Sequence, residues 1–489
     1  MASCTTSDEV FEGLNLAEQA TQENAINFGT YMGESKQTRA GTQGLITTDQ
    51  LKTGTHAADG FGVFAYYTGS DTYQDATSYA VKTDGSTGQS ALAPNFMYNQ
   101  QVKWNSSLTG YISQWEYTPL KYWPNEVQNG AVDDQTSPAA TTTNGNGGHL
   151  SFFAYAPYVS SASGSEGITV MTANSDESDP ILTYVVPASG ANAVDLLWGT
   201  LGSASENVVG GANSGVAYLA DGTNYQQSIL PSYTMNADLT KQKTDGKVDF
   251  AFKHALAKVG GSGTGMQIVL DLDDQKGALT GGTKADGTKV TVKSITIAAK
   301  AKSAVSGTDV YYQTNMTGNF NLATGRWGIT SSTGTAASAA TTTYVINQSG
   351  TGTNVAGTLT TSIAEPASAP AKTEDGFDGL PVGVLASSAT NVFSAEAAPL
   401  VFIPGSYPEL TVTVDYIVRT LDTNLANKYS EVEQAITRTI TFGSAVELNK
   451  RYSLVIHLGL TSVKFDASVS DWDEDGGSAT TIYLPINVD

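Results

Sequence analysis

The 489-residue sequence contains a single cysteine, Cys4, so the chain cannot form an internal disulfide bond. Basic residues are scarce as well: 25 Lys and Arg stand against 47 Asp and Glu, which gives a net charge of −22. A field of that sign repels a phosphate backbone, so nucleic acid is not expected as a partner. No apolar run approaches the length of a transmembrane helix.

Histidine is also rare, and the four present have neither metal-ligand spacing nor a place in a nucleophile motif. No acid–base pair is visible, so the sequence predicts neither an enzyme nor a bound metal or cofactor. The acidic run 471–477 resembles the start of a calcium loop. Ile482, however, stands where that loop requires a bidentate Glu, and a solvated hairpin loop is the favoured interpretation.

The abundant residues point to short strands joined by turns, with 50 Gly and 23 Tyr among many Ser and Thr. Strand-like segments follow one another with little helical periodicity, which predicts an all-β fold. The clearest are 61–67, 96–104, 115–117, 149–157, 181–187, 248–252, 266–272, 290–298, 319–327, 400–403, 410–419, 435–442 and 452–460. One helical turn is expected near 45–51.

The length of the chain exceeds one compact core, so two domains are expected. The polar stretch 238–246 is the best linker candidate. We therefore predict an N-terminal segment over 1–40, an N-terminal β-sandwich over 41–245 and a C-terminal β-sandwich over 246–489.

The segment 25–40 has the pattern of a strand followed by a loop that proteases can cut. Four residues alternate onto one face of the strand, as expected for a strand with one buried side: Ile26, Phe28, Thr30 and Met32. The loop that follows is polar and small, with Lys36 and Arg39 as its basic residues, and exposed loops of this composition are preferred sites of proteolysis.

The chain ends on a matching strand, which we place within 478–489. Its apolar ladder consists of Ile482, Leu484, Ile486 and Val488. Pro485 interrupts the ladder, and proline cannot donate a hydrogen bond to a neighbouring strand. Our hypothesis is that the first strand is a removable placeholder and that the last strand of another copy replaces it.

Several segments, taken as an ordered set, resemble the fimbrillins of Bacteroidales bacteria, the subunits of the type V pilus. They include a Tyr-Trp-Pro motif, a strand ending in Ala-Tyr-Ala-Pro and a Phe-Lys-His-Ala-Leu-Ala-Lys segment, within 61–67, 115–124, 150–157, 248–259 and 452–472. The resemblance implies two tandem transthyretin-like (Greek-key) β-sandwich domains. It also implies export as a lipoprotein, removal of the first strand by an arginine-specific protease, and polymerisation through a C-terminal donor strand.

Carried onto this sequence, the resemblance places cleavage between Arg39 and Ala40. The small residues before Cys4 resemble the end of a bacterial lipoprotein signal, so lipidation is expected there. The expected partners are other pilin subunits, an arginine-specific surface protease and, before cleavage, a lipid anchor in the outer membrane. The protein would then be surface-exposed on the outer membrane and belong to a fimbrium after processing, where it contributes to adhesion.

A second function remains open, that of a monomeric cell-surface lipoprotein that binds glycans. Flat rings bind sugar faces, and five aromatic residues could form such a platform: Trp104, Trp115, Tyr117, Tyr122 and Trp123. Burial in a core explains the same residues, and the family resemblance favours the core.

Overall fold

The computed structural model confirms the all-β class. The longer ranges that it describes, apart from single residues within them, are 25–32, 46–69, 93–124, 148–160, 179–186, 194–200, 246–260, 288–303, 317–330, 400–422, 429–458 and 463–471. The shorter ones are 73, 167–170, 216–218, 224–226, 236–239, 244, 266–270, 279–280, 283–284, 311–312, 340–345, 390–391, 424–426 and 486–488.

Among the residues that the structure describes in the first half of the chain, there are one short helix and twelve strands. The helix is α1 (Thr48–Lys52), where the sequence predicted a turn. The strands are β1 (Asn27–Met32), β2 (Phe61–Gly69), β3 (Met97–Trp104), β4 (Trp115–Glu116), β5 (His149–Ala156), β6 (Ile168–Val170), β7 (Ile181–Val185), β8 (Leu197–Thr200), β9 (Val216–Tyr218), β10 (Asn224–Gln226), β11 (Asn236–Leu239) and β12 (Lys247–His254).

In the second half, every described element is a strand. They are β13 (Ala257–Val259), β14 (Met266–Leu270), β15 (Leu279–Thr280), β16 (Thr283–Lys284), β17 (Thr288–Ser303), β18 (Tyr311–Tyr312), β19 (Thr317–Asn321), β20 (Arg326–Thr330), β21 (Ala340–Val345), β22 (Thr390–Asn391), β23 (Leu400–Phe402), β24 (Ser406–Leu421), β25 (Tyr429–Phe442), β26 (Lys450–Leu458), β27 (Val463–Asp471) and β28 (Ile486–Val488).

The first-strand sheet has the order β1-β12-β8-β5-β2-β3-β4, with β11 paired to β5. Its central strands are buried on both faces, because Phe61 and Val63 point into one core while Phe64 and Tyr66 point into another. Burial on both faces explains why β2 and β5 read as nearly continuous apolar runs rather than as alternations.

The two ends of the first-strand sheet approach each other. Strand β1 pairs with β12 on one side, and on its other side it contacts the segment 113–122, which includes β4. An isolated bridge between Ala25 and Tyr122 marks the same closure. Strand β1 therefore closes this sheet around its own apolar cluster, as strands close a barrel.

A four-stranded bridging sheet, β20-β19-β7-β6, joins the two halves of the chain. Strands β6 and β7 come from the first half, and β19 and β20 from the second. The sequence predicted one strand over 319–327; the structure has an antiparallel hairpin there, and Gly325 in its turn has φ of 68°. Glycine adopts such a φ without steric cost, and this allows the reversal.

The remaining large sheets belong to the second half. The tail sheet has the order β15-β16-β17-β24-β25-β28, with β18 and β21 also paired to β17. A further sheet has the order β22-β14-β26-β13-β23, with β27 paired to β26. Within the described strands, β9 and β10 pair only with each other.

Strand β12 connects the halves directly. It pairs with β1 and β8 in the first-strand sheet, then passes through Ala255 and Leu256 into β13, which pairs with β23 and β26. The domain boundary at 245/246 stays a prediction. The sheet order places β12 among strands of the N-terminal half. One continuous apolar cluster contains residues from both halves.

Candidate functional site: the first-strand groove

Strand β1 is the terminal strand in the order of the first-strand sheet and runs parallel to β12. The pairing is in register from Asn27 opposite Lys247 to Met32 opposite Phe252. The two strands lie more than 200 residues apart in the sequence, so only tertiary packing brings them together. We call the space that β1 fills, between β12 and the segment 113–122, the first-strand groove.

The groove contains a pocket for one aromatic side chain. Phe28 is fully buried, and its ring centroid lies 5.3 to 6.2 Å from four other rings, those of Phe61, Tyr117, Phe152 and Phe250. Ile26 is buried beside it in the same cluster. Burying each such side chain contributes about 1.5–3 kcal/mol, so these two residues stabilise β1 in the groove.

The edge of β1 that faces away from β12 is held by two hydroxyl groups. The Ser113 hydroxyl donates to the Phe28 carbonyl at 2.5 Å, and the Tyr117 hydroxyl donates to the Ile26 carbonyl at 2.9 Å. Burial raises the pKa of the Tyr117 hydroxyl well above its usual value, so this group stays protonated and can donate. Ser113 itself accepts from the Trp115 N–H, which fixes its position.

Main-chain bonds align the start of β1 on both edges. The Ile26 N–H donates to the Lys121 carbonyl at 2.9 Å, while the Asn27 N–H donates to the Gly246 carbonyl on the β12 side at 3.2 Å. Consecutive residues thus turn their polar groups to opposite edges, as in any strand. The Trp123 indole N–H also donates to the Gly246 carbonyl.

The outer face of β1 carries a glycine beneath an ion pair. A Cβ atom at Gly29 would lie 1.8 Å from a carboxylate oxygen of Asp249, which bonds the Lys247 ammonium at 2.9 Å. The two charged side chains are exposed enough to move, so a larger residue would displace the pair at small cost.

One position of the groove is imperfectly filled. The Thr30 hydroxyl is buried and has no hydrogen-bond partner among the described residues. An unsatisfied buried hydroxyl costs about 1–3 kcal/mol, so β1 binds less tightly than its apolar residues alone would allow.

Replacing this hydroxyl by a methyl group in Thr30→Val is expected to stabilise the protein by about 1 kcal/mol. The matched control is Thr200→Val, because the buried Thr200 hydroxyl donates to the Ala251 carbonyl at 3.0 Å and its loss should destabilise. Urea denaturation of both variants measures the difference. Loss of stability in Thr30→Val would show that the hydroxyl is satisfied in solution.

Some of the predicted site residues lie within the described ranges, and others lie outside them. Ile26 and Phe28 are buried as predicted, the Thr30 hydroxyl is buried, and Met32 ends β1. Asn27 and Gly29 on the opposite face are buried as well, so the expectation of a strand with one buried face was wrong for the start of β1. Cys4, Arg39 and Ala40 lie outside the described residues, so lipidation and cleavage stay predictions.

The predicted donor strand is described only in part. Ile486 and Val488 lie in β28, whereas Ile482 and Leu484 fall outside the described residues. In this chain β28 pairs antiparallel with the end of β25 over three residues. It forms the edge of the tail sheet, and the donor role stays a prediction.

The aromatic residues weighed as a sugar-binding platform are mostly core residues. Trp115, Tyr117 and Trp123 are buried in the cluster that surrounds Phe28. Trp104 packs edge-on against Trp115, and the Lys52 ammonium lies 4.8 Å from the centre of the Trp104 ring. Tyr122 is 47% exposed, and a single exposed ring does not make a platform.

A buried polar cluster near the groove was not predicted from the sequence. Asp195 is fully buried, and one of its oxygens lies 2.6 Å from His254 Nδ1 and 3.1 Å from the donating N–H of Ile46. The Asn449 side chain accepts from the His254 N–H. This cluster fixes the chain just after the predicted cleavage loop, and its residues are too far apart in sequence to be associated beforehand.

The described residues contain no group of three or more His, Cys, Asp or Glu that could hold a metal ion. The calcium-like run begins at Asp471, and 472–477 lie outside the described ranges. In the part of the chain that the structure describes, no helix is long and apolar enough to cross a membrane.

Comparison with known proteins gives a curated relative and two solved structures, while no protein-family profile matches the sequence. Fimbrium subunit Fim1C of Phocaeicola vulgatus is 26% identical over 214 residues, which is 44% of this chain and 38% of that protein. The match therefore spans less than half of the relative's length.

The first solved structure is a fimbrial protein from Bacteroides vulgatus. It is 18% identical, with a TM-score of 0.51 over 92% of this chain and 99% of that chain, so the two share a fold. The second is a candidate cell adhesion protein from Bacteroides uniformis, 13% identical over 84% of this chain and 91% of that chain. Its TM-score of 0.29 is too low to bear on the fold.

These findings confirm the resemblance to Bacteroidales fimbrillins that the sequence motifs indicated. The curated relative and the first solved structure are described as fimbrial proteins, which agrees with the prediction that this chain is not an enzyme.

Proposed function

We propose that this chain is a structural subunit of a surface fimbrium that polymerises by strand exchange and contributes to adhesion. The observation that carries the proposal is the position of β1. This strand fills a buried groove, and residues 33–45 connect it covalently to the described strands that follow it. A cut in that segment leaves β1 held by non-covalent contacts alone.

The unpaired hydroxyl of Thr30 supports the removable role, because it weakens a strand that is otherwise well packed. Before the cut, β1 benefits from the high effective concentration of a tethered segment, so the protein stays monomeric. After the cut this advantage is lost, and a strand from another copy can compete for the groove.

The tail is the proposed replacement. Its apolar ladder has the two-residue period that the groove requires, and a slip by one residue would turn every apolar side chain outward. Strand β28 lies at the edge of the described tail sheet, a position from which a strand can leave without separating two neighbours. An incoming strand gains main-chain hydrogen bonds and buries alternate side chains in the groove.

The relatives named as fimbrial proteins support the assembly role. Export as a lipoprotein anchored in the outer membrane through Cys4 is part of the proposal. Mass spectrometry of the protein from its native host tests it, and an unmodified Cys4 would remove the anchor.

The test of the proposed function is cleavage at Arg39. Wild-type protein treated with an arginine-specific protease is expected to lose its first strand and form filaments. Arg39→Ala protein is expected to stay uncut and monomeric, because the other arginines lie in hydrogen-bonded strands, which proteases do not readily enter: Arg326, Arg419, Arg438 and Arg451. Size-exclusion chromatography and electron microscopy, with and without protease, give the readout.

The matched control is Lys36→Ala, which changes a basic residue of the same loop but leaves the arginine. It should be cut and should polymerise like the wild type. Filaments from uncut Arg39→Ala protein would refute the placeholder role of β1. A cut protein that stays monomeric, and migrates more slowly in a gel containing polysaccharide, would instead support the glycan-binding alternative.

A further inference from the structure

The two edges of the first-strand groove differ in what they offer an incoming strand. Strand β12 offers a full main-chain ladder, with both N–H donors and carbonyl acceptors. The opposite edge offers mainly donors, the hydroxyls of Ser113 and Tyr117, which bind carbonyls of β1. A main-chain acceptor on that edge, the Lys121 carbonyl, accepts from the N–H of Ile26 at the start of the strand and also lies 3.3 Å from the Tyr117 hydroxyl.

This difference matters for a strand that contains proline. Proline has a carbonyl but no N–H, so it can pair with a donor edge and leaves a gap in a ladder. The apolar ladder of the tail must face the core, which turns Pro485 outward. The direction in which the tail enters then decides which edge of the groove the main-chain groups of Pro485 face.

In β1, the core-facing residues Ile26 and Phe28 turn their carbonyls to the hydroxyl edge, and the outward-facing Asn27 turns its N–H to β12. A tail entering in the same direction would aim Pro485 at β12, where its missing N–H loses a ladder bond. A tail entering in the reverse direction, core face inward, exchanges the two edges. Pro485 then faces the hydroxyl edge of the groove, where its missing N–H breaks no main-chain ladder, and the carbonyls of the outward-facing Asn487 and Asp489 come to the level of Ser113 and Tyr117.

We propose that Ser113 and Tyr117 form a carbonyl-binding edge that accepts the proline-containing tail of another copy, and that this tail enters antiparallel to β12, opposite to the direction of β1. The proposal rests on the proposed function. In this proposal the two hydroxyls bind main-chain carbonyls and do not recognise side chains. The same hydroxyls can therefore bind both β1 and the tail, although the two strands have different sequences.

Disulfide trapping distinguishes the two directions. Residues 247 and 253 are six positions apart on the outward face of β12, about 20 Å along the strand, and a disulfide requires Cα atoms within about 7 Å. The C-terminal residue Asp489 also faces outward in the proposed register. Antiparallel entry places it near Lys247, and parallel entry places it near Lys253.

The experiment uses two full-length double variants, Lys247→Cys with Asp489→Cys and Lys253→Cys with Asp489→Cys, cut with the arginine-specific protease, which removes native Cys4. We expect a ladder of covalent oligomers from the first pair and at least tenfold less from the second. A ladder from the second pair would overturn the proposed direction. Filaments without a ladder from either pair would overturn tail entry into the groove, whereas wild type that forms no filaments contradicts the proposed function itself.

The hydroxyls are tested separately, through binding of two synthetic peptides, 25–32 and 478–489, to protein that has been cut and freed of its first strand. Ser113→Ala and Tyr117→Phe should each weaken both peptides by a similar factor, about three- to tenfold, since each removes one main-chain bond. Matched controls are Ser406→Ala and Tyr155→Phe, which remove buried hydroxyl bonds away from the groove and should leave binding within twofold. Unchanged binding in the groove variants, or loss for one peptide alone, would overturn the carbonyl-binding edge.

Discussion

Protein that lacks residues 478–489 is expected to fold, to be cut at Arg39 and to remain monomeric. The deletion removes β28, whose described ladder with β25 runs from Ile440 opposite Val488 to Phe442 opposite Ile486. Because β28 is an edge strand, both large apolar clusters keep their described members. The groove of the deleted protein is intact, but no copy can offer a strand to fill it.

Electron microscopy and size-exclusion chromatography after protease treatment measure this loss, which should be complete. A pair of full-length variants provides the control. Changing Ile482 and Leu484 to Asp should block polymerisation, because both belong to the apolar ladder, whereas changing Tyr483 and Asn487 to Asp alters the opposite face and should preserve it. Filaments from the deleted protein would eliminate the donor role of the C-terminus.

The Phe250→Ala variant is expected to lose about 3–5 kcal/mol of unfolding free energy. Phe250 is fully buried, stacks on Phe28 at 5.9 Å and packs edge-on against Phe61 at the same distance. Truncation therefore leaves a cavity between the first strand and the body of the sheet. Chemical denaturation measures the loss.

The control is Val432→Ala, at a position that is 53% exposed and should change stability by no more than about 0.5 kcal/mol. A double-mutant cycle with Phe28→Ala isolates the ring contact, which should couple by about 0.5–1.5 kcal/mol. An unfolding midpoint that scarcely moves in Phe250→Ala would mean that the alternating apolar residues of β12 do not form the core.

Local patterns predicted which segments form strands because side-chain periodicity reports the burial of each face. The alternation of Val248, Phe250 and Phe252 corresponds to three buried residues on one face of β12. The position of Ile26 and Phe28 on the same, inner face of β1 was predicted on the same grounds. Both cases depend only on the two-residue period of a strand.

The partners of those strands could not be predicted, because pairing over long separations leaves no local signal. The parallel pairing of β1 with β12 and the pairing of β7 with β19 each join distant parts of the chain. The roles of Ser113 and Tyr117 depend on that closure: a serine and a tyrosine near β4 have nothing in their own sequence context that marks them as donors to β1. The hairpin at 319–327 was missed for a different reason, since a tight turn at Gly325 interrupts an otherwise strand-like composition.

The passage of β12 into β13 has a mechanical consequence. In a filament assembled as proposed, tension enters each subunit at the strand held beside β12 and must reach the C-terminal half, which carries the outgoing tail. Residues 247–259 form one uninterrupted backbone from the acceptor groove to the strands around β26, so the load crosses between the halves along covalent bonds. Covalent bonds withstand far more force than hydrogen bonds and apolar contacts. The weakest link of such a fibre is then the exchanged strand at each joint, and stretching it should separate whole subunits before the two halves of any one subunit are pulled apart.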